Sequence, residues 1–215
     1  YAKQAQLDLF EDYFYSYNYQ VNKENARKSG TGIADIKKSL AEVIEFFSVS
    51  ADLTHIVATN TFTAPTTATT GSDYYLINKV LFNNGTSFQE MEKVTHSKIT
   101  MLLNSLLTAP NETFPAYTLE ADIITAYPTS INAAGEVRCQ YFRYPADPKW
   151  TYVTLPGGEP SFDGNAADYQ DFELPLSDEA YLVAKILEYS GVSIREQTVV
   201  QFAKTEQIQN IQEEK

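Results

Sequence analysis

Apolar residues recur at helical steps from the start of this chain. Leu7, Phe10, Phe14 and Tyr17 stand three or four apart within residues 2–19, which predicts an amphipathic helix. Tyr13, Tyr15 and Tyr19 lie off that face, so the helix is aromatic around much of its circumference and is expected to pack on two sides. SGTG at 29–32 interrupts the pattern and reads as a loop between helices. A second apolar face then runs through Ile33, Ile36, Leu40, Val43, Ile44 and Phe47.

Between 54 and 82 the character changes to Thr, Val, Ile and Tyr, with a Pro/Thr/Gly tip in the middle. This predicts two strands joined as a hairpin across an exposed loop at 63–73, with NNG at 83–85 making the next turn. Residues 88–107 return to the helical period. Met91, Val94, the Lys98 stem, Leu102 and Leu106 share a face that Ile99 and Leu103 widen, and Pro110 stops it.

AYTLEADIITAYP and EVRCQYFRYP read as strands separated by SINAAGE, and WTYVTL as another strand ending at the PGG of 156–158. Residues 157–171 read as acidic and irregular. Ser177 is placed to cap a helix whose first turn holds Asp178 and Glu179, with Leu182, Val183, Ile186 and Leu187 as its buried face and Gly191 as its end. A last helix is expected over 194–213. The class is therefore α+β, with helices at both termini around a central antiparallel sheet or sandwich. Three segments follow: helical 1–53, a mixed domain 54–175 with one central helix at 88–107, and a helical pair at 176–215.

Composition narrows the functional classes. The net charge is −12, unevenly spread: residues 1–108 carry 9 basic and 11 acidic groups, residues 109–215 carry 7 and 17. Such a surface repels a phosphate backbone, so sequence-specific nucleic-acid binding is not expected. No run of about 18 apolar residues predicts a membrane span, and no signal-peptide pattern opens the sequence. The single cysteine, Cys139, alternates with Val137 and Tyr141 and is expected to face a core.

Candidate chemistry is sparse. His55 and His96 have no cluster around them at ligand spacing, and His96 beside Ser97 does not make a triad. SGTGI at 29–33 lacks the lysine and preceding strand of a phosphate loop. The carboxylates Glu159, Asp163, Asp168, Asp171, Glu173, Asp178 and Glu179 could supply the facing pair that glycoside hydrolysis needs, but an acidic loop is ordinarily solvated. Asp163-Gly164-Asn165 does not meet the calcium-loop register. No catalytic, metal or cofactor site is assigned, and no cofactor is expected.

YFRYPADPKW at 141–150 concentrates aromatics, prolines and bases. Exposed coplanar rings would make a carbohydrate platform. Strand alternation and two prolines instead predict a rigid β-corner built from Tyr144, Pro145, Pro148 and a buried Trp150. Arg143 and Lys149 are rare bases in an acidic half, available for charge contacts within a subunit or between subunits.

The order of segments over 89–205 carries a resemblance. An LL-paired stretch ends in AP at Pro110, and FPAYTLEADIITAYPTSI, VRCQYFRYPADPKWTY, DFELPLSDEAYLVAKILEYSGVSIRE and VVQFAKTEQ follow. With its YP after a strand, its RYPxDPxW corner and its FELP lead-in, this order resembles the neck ring (head-to-tail connector) proteins of crAss-like tailed bacteriophages. The resemblance covers roughly the C-terminal three-fifths of the chain. It implies a virion structural protein assembled in the host cytoplasm and forming a dodecameric ring. That ring would be bound to the portal and to other neck or tail ring proteins, with DNA passing through its lumen and no membrane involved. No catalytic residue comes with it. Two other classes stay open: a secreted or cell-surface carbohydrate-binding module, and a lytic or depolymerising phage enzyme.

Overall fold

The computed structural model describes residues 1–26, 36–194, 201, 204–206 and 208. The chain is α+β and divides into two compact units, Glu45–Tyr144 and the pair Tyr1–Ile44 with Pro145–Lys215. This differs from the expected three segments because the strands begin at Ser48, inside the stretch expected to be helical.

The inner unit is built from β1 (Ser48–Asp52), β2 (Thr54–Ile56), β3 (Thr61–Thr63), a one-turn α3 (Thr67–Thr70) and β4 (Tyr74–Asn83), counting helices from α1 (Ala2–Ala26) and α2 (Ile36–Glu45). Then come β5 (Phe88–Glu90), β6 (Glu92–Lys93), α4 (His96–Leu103), β7 (Ala116–Glu120), β8 (Ile123–Tyr127) and β9 (Val137–Arg143). One sheet has the order β1-β9-β4-β5 and the other β2-β3-β8-β7-β6. Every pair is antiparallel except β6 with β7.

The two sheets share their edges. β1 runs into β2 through Leu53, whose N–H still bonds to Val137 at 2.8 Å; β5 runs into β6 through Met91, whose N–H bonds to Val80 at 2.9 Å. The pairings therefore close on themselves, as in a flattened barrel whose corners are strands that change sheets.

Alternation explains the core. Val137, Cys139 and Tyr141 of β9 are fully buried while Arg138, Gln140 and Phe142 between them are not. They meet Val80 and Phe82 of β4, Phe62 of β3, Ile124 and Ala126 of β8 and Tyr117 of β7 in one cluster between the sheets. Cys139 thus faces the core, as its spacing predicts. The Tyr141 hydroxyl is satisfied inside by Thr70 Oγ1 at 3.1 Å and Ser72 Oγ at 3.2 Å.

Three expectations for this unit are corrected. The strands either side of 63–73 do not pair: β3 turns back on β2, while β4 joins β9 in the other sheet. The linker between them is not a free loop either, since Ala64 and Pro65 are buried and α3 is held by the reciprocal Thr66/Thr69 bonds of a capping box.

The helix expected at 88–107 is only α4. Phe88–Glu90 and Glu92–Lys93 are the corner strands β5 and β6; of the buried residues that looked like a helical face, Met91 joins the two strands and Val94 follows β6, its N–H bonding to Tyr117 at 2.9 Å, ahead of Thr95, the N-cap. Apolar spacing of three cannot separate those two cases when a strand bends. Of the expected face Ile99 is buried, but Leu106 lies past the helix and is fully exposed. AYTLEADIITAYP is a complete hairpin, with Ala121 in the left-handed region (φ 48°) at its tip. The NNG turn is as predicted: Asn83 and Asn84 side chains accept the N–H groups of Gly85, Thr86 and Ser87, and Gly85 has φ 83°.

The other unit contains α1, most of α2, a hairpin of β10 (Tyr152–Thr154) with β11 (Pro160–Phe162), a 3-10 turn (Leu176–Asp178) and α5 (Glu179–Ile194). The segment at 157–171 expected to be irregular thus contains β11. Helices α1 and α5 pack through Ala5, Leu9 and Leu182, joined by Phe172, Leu174, Tyr181, Ile186 and Tyr189. The buried face of α1 is Ala5, Gln6, Leu9 and Phe10, turned from the one predicted through Leu7 because the small Ala5 lies at the α5 contact. Tyr13 donates to Asp178 and Tyr189 to Asp8, tying the helices at their polar margins.

On α5 Leu182 and Ala184 are buried, but Val183 and Leu187, predicted inside, form an exposed stripe on another side of the helix. Gly191 is buried within the helix rather than ending it, and Ser177 sits in the 3-10 turn rather than at an α-helical N-cap. The expected loop at 29–32 and Ile33 lie outside the described residues. So does most of the helix expected at 194–213, of which Gln201, Lys204–Glu206 and Ile208 are described, in helical conformation.

Candidate functional site

The stretch that the sequence singles out is where the chain leaves one unit for the other, between Tyr144 and Pro145. On the near side, Tyr144 follows β9: its N–H bonds to Asp73 at 3.2 Å and its ring meets Tyr75 edge-on at 5.3 Å. The Arg143 guanidinium lies 5.9 Å from the Phe47 ring and donates to the Tyr144 carbonyl at 3.2 Å.

On the far side, Pro145 is buried and Ala146 is held at both ends. Its N–H donates to Glu173 Oε2 at 2.7 Å and its carbonyl accepts Gln6 Nε2 at 2.8 Å. Lys149 exchanges backbone bonds with Gln170 at 2.9 and 3.2 Å, and its ammonium pairs with Asp168 within the same chain. That ammonium holds the Asp168 carboxyl below its usual range.

Trp150 does not fill a buried corner. It is 60% exposed, and its ring lies nearly parallel to Tyr152 (5.6 Å, 23°) and Phe162 (6.2 Å, 20°). Tyr152 and Phe162 face each other across the β10–β11 hairpin, and Trp150 follows two residues before Tyr152 on the same face. Phe162 is braced by Tyr169 edge-on at 5.4 Å and by Gly164, where an added Cβ would come within 3.3 Å of its ring.

The burial expected of Trp150 is therefore wrong. The error lies in reading 157–171 as irregular: with β11 in place, the hairpin and the residue leading into it carry three rings on one face, and among the described residues no third strand covers them. The signal was present in the spacing, since a hairpin centred on PGG sets Phe162 opposite Tyr152.

Five of the seven acidic residues weighed for catalysis hold the backbone or a neighbour through their carboxylates. Asp163 and Asp171 side chains accept the N–H groups of Asn165 and Phe172 at 3.0 and 2.8 Å. Glu173 holds Ala146, Asp168 holds Lys149, and Asp178 accepts the Tyr13 hydroxyl. His55 bonds to Asn60 at 3.0 Å and His96 contacts Glu120 at 2.7 Å. Among the described residues, no three His, Cys, Asp or Glu side chains gather as a metal-holding group. Burial pushes the Cys139 thiol up to about 12, which leaves it protonated and unreactive.

Two further surfaces escaped the sequence reading. Met101, Leu103, Leu106, Leu107 and Phe114 stand exposed on α4 and the segment leading from it to β7. Along α5 runs a groove of about 580 Å³ whose lining includes Leu176, Ala180, Val183 and Leu187 together with Glu179 and Glu206. Among the described residues no helix is long and apolar enough to cross a membrane. No protein-family model matches the chain, and comparison with curated proteins gives no significant relative.

Proposed function

We propose that this chain is a non-catalytic virion structural protein: a ring-forming subunit of the head-to-tail connector that bridges portal and tail and leaves a channel for DNA. The observation that carries the reading is the uncovered apolar segment Met101–Phe114, in which the adjacent Leu106 and Leu107 are fully exposed. An acidic chain that leaves such a segment in water is suited to burying it against another subunit. The resemblance of residues 89–205 to neck ring proteins supplies the kind of assembly. The net charge of −12 fits a channel that does not retain DNA.

Native mass spectrometry of the full chain, alone and mixed with portal, tests this. One closed stoichiometry in either sample is expected, and a strict monomer in both overturns it.

A second reading has its own support. The exposed, near-parallel Trp150, Tyr152 and Phe162 rings are the arrangement on which a sugar face stacks, which favours a carbohydrate-binding module. Glycan-array hits abolished by Trp150→Ala would bring this reading to the front. An array without hits removes it.

A further inference from the structure

Two uncovered apolar surfaces of this chain differ in shape and in charge. The first projects: Leu106 and Leu107 stand fully exposed just beyond α4, beside the exposed Met101. Residues 93–111 around them contain Lys93, His96 and Lys98 and no carboxylate, although Glu120 of β7 reaches His96 at 2.7 Å from outside this stretch. Lys98 is exposed and only loosely paired, with Glu92 at 3.6 Å. The second surface is concave. The α5 groove offers Leu176, Ala180, Val183 and Leu187, and the charged groups lining it are two glutamates, Glu179 and Glu206.

We infer that copies of this chain join head to tail, the Leu106–Leu107 projection of one seating in the α5 groove of the next. The inference rests on the self-association in the reading above and names the contact that makes it. Charge selects this arrangement. Projection against projection would set lysines against lysines, and groove against groove would set glutamates against glutamates, whereas the unlike surfaces bring Lys98 toward Glu179 and Glu206. A contact between unlike surfaces is not self-limiting at two copies. It repeats from subunit to subunit until the rotation closes a ring or the chain of subunits runs on as a filament. A lipid surface is the poorer occupant for the projection, because a chain of net charge −12 is repelled by an anionic bilayer.

The test uses the full chain with its native cysteine, which is fully buried. Leu107→Cys and Val183→Cys are made in separate samples and treated with a short bis-maleimide, alone and mixed. Linked dimer is expected several-fold above either single sample only in the mixture. Lys98→Glu and Glu179→Lys should each weaken association, and mixing the two variants should restore it.

Multimers in native mass spectra without linked product in the mixture overturn this contact and leave the connector reading standing. Linking in a single-variant sample equal to the mixture also overturns it, in favour of a two-fold contact. A monomer at every concentration, with or without portal, removes both. Membrane binding lost in Leu106→Asp, with no self-association, assigns the projection to lipid and overturns the contact.

Discussion

The side-chain oxygen of Gln6 accepts the backbone N–H of Glu173 at 3.2 Å, while its amide nitrogen donates to the Ala146 carbonyl at 2.8 Å. The Glu173 carboxylate completes the circuit by accepting the Ala146 N–H at 2.7 Å. Gln6 is 1% exposed, so one buried amide joins α1, the segment after Pro145 and the lead-in to α5. Gln6→Ala would leave a donor and an acceptor unpaired in the interior, and we expect it to cost about 1–3 kcal/mol. Urea unfolding measures this, and a loss below about 0.5 kcal/mol, the scatter of ordinary surface substitutions, would contradict it.

Trp150 gives a prediction of opposite kind. A buried tryptophan truncated to alanine costs about 3–5 kcal/mol. With most of its ring in water, Trp150→Ala should cost about 1–2 kcal/mol, the share of apolar area still covered by Tyr152 and Phe162. Thermal unfolding decides: a loss of about 3 kcal/mol or more would mean the ring is covered in the intact protein, as it would be inside an assembly.

How much of this was legible in the sequence depended on whether local period and tertiary surroundings agreed. β9 was legible because Val137, Cys139 and Tyr141 alternate within one strand and all three reach the same core. The 88–107 helix was misread because Met91 lies where a strand changes sheets, and a bent strand spaces its buried residues irregularly. The faces of α1 and α5 were partly legible. Leu182 was found, but whether its neighbour Val183 is covered depends on what packs alongside, which no periodicity encodes. The aromatic row needed the register of β10 on β11, and reading 157–171 as irregular hid it.

Cys139 supplies a chemical check on the barrel interior. Its thiol is fully buried and pushed up to about 12 by loss of solvent. A thiol reagent at neutral pH should therefore label it only as fast as the inner unit opens. Labelling at the rate of a free thiol in native buffer would mean that β9 does not face the core.

Across β1 and β9, Arg138 grips Asp52 with two bonds, Nε to Oδ1 at 2.6 Å and Nη2 to Oδ2 at 3.2 Å, while lying 4.8 Å from the Phe88 ring. These bonds hold the Asp52 carboxyl below its ordinary value. A carboxyl depressed by folding adds stability that is present above its unfolded value, about 3.9, and is lost as pH falls through the lower folded value. Carboxyl NMR titration should find Asp52 below the usual aspartate range, and Arg138→Ala should return it there. An unshifted Asp52 in the parent protein would show that the pair is not formed in solution.

Thr118 is the reverse case, a polar group the fold does not use. It lies in β7 opposite Thr125 and is 1% exposed, and its hydroxyl oxygen has no hydrogen-bond partner among the described residues. Thr118→Val keeps the branched shape that a strand favours and removes the stranded hydroxyl. Threonine-to-valine changes are usually unfavourable because a hydroxyl bond is lost, and here none is present to lose. The variant should therefore be more stable by about 1 kcal/mol, read as a higher urea midpoint at unchanged slope. A drop of about 1 kcal/mol would show that the hydroxyl is satisfied in solution and that β7 uses it.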